Sequence, residues 1–179
     1  MKTVSLVSMF LLAAFSSVFS QEKINWMTVS EMQIAIQKEP RKVFIDIYTV
    51  WCGPCKMMMS QTFTDPKIIS YVNANYYAVK FNAEGNEPIT FNGKNYINSS
   101  YNPANASRRN GTHEFTQAIA SVNGRIAYPT LVYMDENLQI ISPVQGLWKA
   151  PQLLPLLHFI YDEIYTTSTS FEEYSKKFK

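Results

Sequence analysis

Cysteine and histidine are scarce in this chain, which has two of each among its 179 residues. A zinc site with four cysteine and histidine ligands would need all of these side chains, so we expect no metal site and no cofactor. Transfer of a soft ion such as Cu(I), held by the two thiolates and His113, is the alternative. His158 lies within an apolar stretch and is interpreted as structural.

Charge is also limited. Asp, Glu, Lys and Arg make up 17% of the sequence, and the formal net charge is +2. The closest approach to a basic patch is at Arg108-Arg109 and Lys176-Lys177, which we interpret as solvated loop and tail charges. Because nucleic-acid binding needs clustered Lys and Arg side chains against the phosphates, the sequence predicts no nucleic-acid partner.

Only one long apolar run occurs, from Val4 to Phe15, and it follows the positive charge of Lys2. The run is shorter than the roughly 20 residues of a transmembrane helix. The residues before Gln21 suit signal-peptide cleavage. We therefore expect residues 1–20 to be a signal peptide and residues 21–179 to be exported, either periplasmic or secreted, without stable membrane insertion. An uncleaved N-terminal anchor is the alternative.

Both cysteines lie in one motif, Trp51-Cys52-Gly53-Pro54-Cys55-Lys56, directly after an apolar run. Two cysteines separated by two residues can close a small disulfide ring, and a helix that begins near the first one favours its thiolate. Cys52 is therefore predicted to be the attacking thiol. Cys55, one helical turn further on and expected to be less exposed, is predicted to resolve the mixed disulfide. The alternative is a structural bridge, although so short a loop would constrain little of the unfolded chain.

The apolar pattern predicts one domain in which helices and strands alternate. Thr28 and Glu31 have the spacing of a capping box, and Pro40 ends the helix near Glu39. Asp65 suits the N-cap of another helix, with Pro66 in its first turn. The other predicted elements are strands at 42–48, 76–81, 130–134 and 139–144, and helices at 55–63, after Thr112, from Pro151 and after Ser170.

The segment 82–110 is rich in Asn, Gly, Ser and Pro, which predicts a long loop with a short hairpin at Asn92-Gly93. Loops of this length are often functional. We expect three aromatic side chains to be exposed there, namely Phe91, Tyr96 and Tyr101. His113, near the start of the next helix, is interpreted as an exposed or capping residue. Exposed aromatics would suit a chaperone-like module that holds unfolded clients.

The order of elements resembles the thioredoxin fold, an α/β fold with a central mixed sheet flanked by helices, and the dithiol motif is similar to that of thioredoxin. The resemblance covers about residues 40–160. It implies that Asp46 is a buried acid assisting proton transfer at Cys55, and that Lys80 neighbours this acid. Tyr128-Pro129-Thr130 resembles the cis-proline segment of the family. Gly146 resembles the glycine that follows the last strand in that family. The residues that would contact substrate are Trp51, Gly53, Pro54, Tyr128 and Pro129.

Each of these residues also has a simpler interpretation. Asp46 could be a hydrogen-bonded buried acid, although burial would raise its pKa and let it take a proton. Lys80 could be a surface lysine, Pro129 an ordinary trans proline and Trp51 a packing residue. Tyr128 departs from the small or β-branched residue that is common before the family's cis-proline.

A closer resemblance is to exported bacterial thioredoxin-like proteins. Phe63-Thr64-Asp65-Pro66 is similar to the pattern in the electron-donating C-terminal domain of the membrane thiol transporter. The segment Asn110–Phe115, leading to Tyr128-Pro129-Thr130, resembles small bacterial relatives with an insert. We place that insert at about 83–127, between the second central strand and the cis-proline strand, and a C-terminal helical extension at about 166–179.

The resemblance implies a thiol–disulfide oxidoreductase. Its partners would be exported proteins with disulfides and a thiol protein that donates electrons. The Gly-Pro dipeptide between the cysteines resembles reducing members of the family and favours net reduction. A disulfide oxidase or isomerase is the alternative within the class, because surrounding charges also move the thiolate pKa.

Overall fold

A central mixed sheet organises the structure, a computed structural model that describes residues 23–178. Its five strands run in the spatial order β1-β3-β2-β6-β7, and a separate hairpin is formed by β4 and β5. The first three strands are parallel, whereas β6 and β7 are antiparallel to their neighbours. The strands are β1 (Trp26–Met27), β2 (Lys42–Tyr48), β3 (Tyr76–Asn82), β4 (Ile89–Phe91), β5 (Lys94–Tyr96), β6 (Thr130–Met134) and β7 (Ile140–Gln145).

Helices cover both faces of this sheet. They are α1 (Val29–Lys38), α2 (Gly53–Met57), α3 (Pro66–Asn75), α4 (Glu114–Ala120), α5 (Ala150–Tyr161) and α6 (Phe171–Lys177). Helices α1 and α4 contribute to the core on one face, and α3 and α5 to the core on the other. The fold is therefore the thioredoxin-like arrangement expected from the order of elements.

Strand β2 lies at the centre of the sheet and is buried on both faces, as its mostly apolar sequence predicts. Because successive side chains point to opposite faces, Val43, Ile45 and Ile47 join one core and Phe44 joins the other. Asp46 is the acidic residue of this strand, and it points to the face that carries Phe44. The strand ends three residues before Trp51, so it delivers the dithiol motif to one edge of the sheet.

Most predicted helix boundaries are confirmed. Thr28 and Glu31 form the capping box of α1, and Asp65 accepts hydrogen bonds from the first turn of α3. Ser170 caps α6, whose Phe171 and Tyr174 pack against Phe159 of α5.

Two helix predictions are wrong in detail. The helix predicted at 55–63 begins at Gly53 and gives way to a π-helical turn, Met58–Thr62. The N-cap of α4 is His113 rather than Thr112, because the His113 ring nitrogen accepts the backbone hydrogen bond of Phe115. Ala118 of the same helix is exposed.

The segment between β3 and β6 is more ordered than a long loop. The hairpin predicted at Asn92-Gly93 is confirmed as β4 and β5. Phe91 is only 6% exposed, so the prediction that it is an exposed aromatic is wrong. Phe91 and Tyr96 both pack against the ring of Phe115, at centroid distances of 5.1 and 5.5 Å. Tyr101 is half-buried. The insert therefore has an aromatic core of its own, continuous with one face of the sheet.

The predicted signal peptide, residues 1–20, lies outside the described residues. Within residues 23–178, no helix is long and apolar enough to cross a membrane.

Candidate active site

Cys52 and Cys55 are joined in a disulfide, with their Cα atoms 5.3 Å apart. Cys52 is the N-cap of α2, and its Sγ accepts a hydrogen bond of 3.1 Å from the backbone N–H of Cys55. The expected difference in exposure is absent, since Cys52 is 2% and Cys55 is 3% exposed. What distinguishes the two sulfurs is therefore the backbone N–H that points at Cys52, because such a donor favours a negative charge on that atom.

The peptide bond between Tyr128 and Pro129 is cis, as predicted. The backbone N–H of Gly146 donates to the Pro129 carbonyl at 2.9 Å, which ties this segment to the end of β7. Gly146 has φ +102, a conformation that favours glycine. Within residues 23–178 no hydrogen bond engages the backbone N–H or carbonyl of Tyr128. These two groups therefore have no internal partner in this part of the chain, while Tyr128 is half-buried and Pro129 is buried.

Asp46 and Lys80 lie side by side on β2 and β3, where they are register partners. The Lys80 Nζ is 3.3 Å from Asp46 Oδ2, while Asp46 Oδ1 has no hydrogen-bond partner among residues 23–178. Burial raises the pKa of Asp46, and the ammonium of Lys80 opposes that rise without cancelling it. Asp46 is thus an acid that can hold a proton more readily than an exposed aspartate.

A cavity of about 210 Å³ is lined by both Lys80 and Cys55, and Asp46 lies behind Lys80 rather than in the cavity wall. Met59, in the π-helical turn after Cys55, contacts the Lys80 ammonium through its sulfur at 2.7 Å. Lys80 also lies over the ring of Tyr48, 4.4 Å from its centroid. The structure thus brings together Cys55, Lys80 and Asp46, as the family resemblance implies.

Trp51 is held by Glu84, which the sequence did not single out, and by Arg109, which was interpreted only as a solvated loop charge. Its indole N–H donates to Glu84 Oε2 at 2.6 Å, and the same oxygen accepts the backbone N–H of Asn110 at 2.9 Å. The Arg109 guanidinium lies over the Trp51 ring at 4.4 Å, and the Tyr128 ring meets the indole edge-on at 6.0 Å. The insert and the cis-proline segment therefore meet at Trp51, next to Cys52.

The available sequence signal for these residues was weak. Glu84 is an acid that directly follows the second central strand, and Arg109 is one of two adjacent arginines in a polar segment. Neither pattern indicates a contact with Trp51, because the contacts depend on how the insert folds back onto the sheet.

Of the two alternatives for His113, exposed or capping, the structure shows the capping one. The residue is fully buried, and its ring meets Phe81 edge-on at 5.2 Å. Nδ1 accepts the backbone N–H of Phe115, so Nε2 carries the proton that is donated to the Glu87 carbonyl at 3.0 Å. Burial lowers the pKa of His113. This histidine fastens the insert to the sheet, away from the residues that line the dithiol.

Within the described part of the chain, no group of three or more His, Cys, Asp or Glu side chains is placed to hold a metal ion. His158 stacks on Tyr71 at 3.9 Å and lies 3.6 Å from Asp162, which fits a structural role.

The fold and this site define a thioredoxin-like domain with a disulfide between two cysteines that are separated by two residues. A family model described as a thioredoxin-like domain matches residues 29–161. The chain therefore belongs to the thioredoxin-like family. A search of curated protein sequences found no match.

Solved structures with the same fold include a thioredoxin from Thermus thermophilus, 14% identical, with TM-score 0.54 over 77% of this chain and 87% of that one. A thioredoxin-fold protein from Helicobacter pylori is 17% identical, with TM-score 0.53 over 92% of this chain and 89% of that one. The DsbH oxidoreductase is 10% identical, with TM-score 0.53 over 90% and 95%. At these identities the likeness shows the fold.

Proposed function

We propose that this protein is a thiol–disulfide oxidoreductase that reduces disulfides of exported proteins. The observation that carries the proposal is the Cys52–Cys55 disulfide at the start of α2, with a backbone N–H directed at the Cys52 sulfur. A purely structural bridge would not need an open cis-proline segment beside Trp51, nor a buried acid with a raised pKa behind the second cysteine.

The reaction begins with both cysteines reduced. The Cys52 thiolate attacks one sulfur of the substrate disulfide, and the other substrate sulfur leaves as a thiolate that takes a proton from solvent. Cys55 then loses its proton and attacks the Cys52 sulfur, which releases the second substrate thiolate. The substrate gains two electrons and two protons overall, and the enzyme is left with the Cys52–Cys55 disulfide. A dithiol partner restores the reduced form by the same exchange in reverse.

Asp46 supplies the base for the second step. Its carboxylate lies behind the cavity shared by Cys55 and Lys80, and burial favours its protonated form. The Lys80 ammonium opposes the rise in the Asp46 pKa and so favours the ionised form that accepts the proton. No direct hydrogen bond joins Cys55 and Asp46 within the described residues, and Asp46 does not line the cavity, so the proton is relayed from the cavity past Lys80.

Substrate binding uses the rim of the dithiol. The Tyr128 backbone pairs with an extended substrate segment next to Pro129, while Trp51 forms one wall. Gly53 and Pro54 are exposed at the start of α2, and an added Cβ at Gly53 would meet no atom within 4 Å. This open surface lets a substrate backbone approach the buried Cys52 sulfur.

The proposed direction is reduction, on the basis of the Gly-Pro dipeptide, and the proposed location is outside the cytoplasm, on the basis of residues 1–20. An oxidase or isomerase would use the same residues and differ in potential. A client-binding module loses its main support because Phe91 is buried and Tyr96 packs on the insert core.

Single-cysteine variants test the proposal. Cys55→Ser, reduced and mixed with a disulfide-bonded peptide, is expected to accumulate a mixed disulfide at Cys52 that mass spectrometry detects. The matched Cys52→Ser variant should form little adduct, because the attacking sulfur is missing. Absence of any adduct with Cys55→Ser, or equal trapping at both positions, would contradict the assigned roles.

A further inference from the structure

An open cleft lies beside the dithiol, between the insert and the cis-proline segment. Its volume is about 430 Å³, and its walls come from Trp51 before Cys52, from Ala127 and Tyr128 before Pro129, and from Glu84, Arg109 and Asn110 near the insert. A substrate segment that pairs with the Tyr128 backbone would therefore present a neighbouring side chain to this cleft. The proposed substrate contacts use Trp51 and Tyr128 but none of the groups that the insert contributes to the cleft.

The cleft carries an accessible positive charge. Arg109 is exposed, and its guanidinium carbon lies over Trp51, 4.4 Å from the ring centroid. No carboxylate within residues 23–178 lies within 4.0 Å of this guanidinium. Stacking fixes the position of the cation and leaves its hydrogen-bond donors free for a ligand.

The acid in the cleft wall is already engaged. Glu84 is 8% exposed, and one of its oxygens accepts both the Trp51 indole N–H and the Asn110 backbone N–H. These two donors offset part of the carboxylate charge and fix Trp51 beneath Arg109. Glu84 thereby acts as the support of the cleft, while Arg109 presents the group that remains available to a substrate.

We propose that this cleft selects polypeptide substrates with an acidic side chain close to the reactive cystine, whose carboxylate is bound by Arg109. This inference rests on the proposed function and names the substrate class of that same site. A carboxylate on a guanidinium fixed beside the disulfide forms a directed ion pair, whereas a lysine side chain in the same place is repelled. Arg109 is thus a specificity-determining residue supplied by the insert.

Three disulfide-bonded peptides that differ only at the position next to the cystine test this inference, with Glu, Gln or Lys at that position. The measured quantity is the second-order rate of peptide reduction by the reduced protein. We expect the Glu peptide to react about fivefold faster than the Lys peptide, in line with a partly exposed ion pair. The ratio should shrink as salt is added, because the cleft is open to solvent.

Arg109→Glu is expected to reverse the preference, so that the Lys peptide becomes the faster one. Arg108→Glu is the matched control, since Arg108 is the exposed neighbour that does not line the cleft, and it carries the same change of charge. If both variants shift the ratio equally, net charge alone explains the selectivity and the cleft assignment is wrong.

The outcomes separate this inference from the proposed function. Equal rates for all three peptides, with the neutral hydroxyethyl disulfide also reduced, would overturn the acidic preference and leave the oxidoreductase intact. No reduction of the peptides or of hydroxyethyl disulfide would overturn both. A Glu preference that persists in Arg109→Glu would mean that another group binds the carboxylate, and this would also overturn the inference.

Discussion

The ammonium of Lys80 lies 3.3 Å from a carboxylate oxygen of Asp46, whose side chain is 1% exposed. The other oxygen of Asp46 is buried and has no hydrogen-bond partner in the described part of the chain. Burial removes water from both oxygens, and the ion pair with Lys80 compensates only in part, so the pKa of Asp46 is raised. The core behind the dithiol therefore contains a carboxyl group whose ionisation is disfavoured by burial.

The first prediction concerns stability. A carboxyl whose pKa is raised by folding contributes most at low pH, and that contribution is lost as the pH rises through its folded pKa. Asp46→Asn removes the group whose ionisation is disfavoured by burial and should stabilise the oxidised protein at pH 7 by about 1 kcal/mol or more. The gain should vanish at about pH 2, well below the ordinary Asp pKa, where the carboxyl is neutral in both states. Urea unfolding at the two pH values measures the difference.

Glu172→Gln is the control for that experiment, since this acid is exposed in α6 and should change stability little at either pH. A loss of stability at pH 7 in Asp46→Asn would mean that the ion pair with Lys80 outweighs the cost of burial.

Asp46→Asn should also slow release of the mixed disulfide by Cys55 on the order of 100-fold, because the base that takes the Cys55 proton is gone.

The second prediction concerns the support of Trp51. Glu84→Ala leaves the indole N–H and the Asn110 N–H without their shared acceptor, which should destabilise the protein by about 1–3 kcal/mol. Glu87→Ala is the matched control, because its side chain is exposed and only its carbonyl holds His113. Urea unfolding of both variants tests this, and equal stability would show that the contacts of Glu84 contribute nothing measurable.

The third prediction concerns acid sensitivity. Burial lowers the pKa of His113, so its contribution to stability is present above about pH 6.5, the usual unfolded value, and is lost as the pH falls through the folded pKa. Nearby Glu114 opposes this shift. Protonation at Nδ1 removes the N-cap of α4, which is worth about 0.5–2 kcal/mol.

His113→Asn keeps a capping side chain that does not titrate, and it should flatten the loss of stability between pH 7 and pH 5. His158→Gln, the matched control, should keep the acid sensitivity of the original chain, because His158 is half-buried and caps no helix. Urea unfolding across this pH range checks both. Unchanged acid sensitivity in His113→Asn would rule out the capping histidine as its source.

Much of the fold could be predicted from local sequence signals. Strand β2 reads as a continuous apolar run, and the capping boxes at Thr28 and Ser170 act within one helical turn. Because such signals depend only on residues close together in the sequence, the sequence alone predicts these boundaries. The π-helical turn after Met57 has no comparable local signal, so the helix at 55–63 was predicted with too regular a geometry.

The insert shows the limit of this approach. Its polar composition suggested exposed aromatics, yet Phe91 and Tyr96 pack around Phe115 from a distant helix. The contacts of Glu84 and Arg109 with Trp51 likewise join residues 33 and more positions apart. Cys52, Cys55 and the cis Pro129 were recognised because they lie in short motifs, whereas the wall of the cleft is formed by tertiary contacts.

The most direct test of the central claim is the reduction potential of the Cys52–Cys55 pair, measured by equilibrating residues 21–179 with defined glutathione or dithiothreitol ratios. Net reduction of exported disulfides predicts a value near or below about −240 mV. A value of about −120 to −180 mV would contradict it and identify an oxidant or isomerase. Failure to exchange at all would mean that the disulfide is a structural bridge.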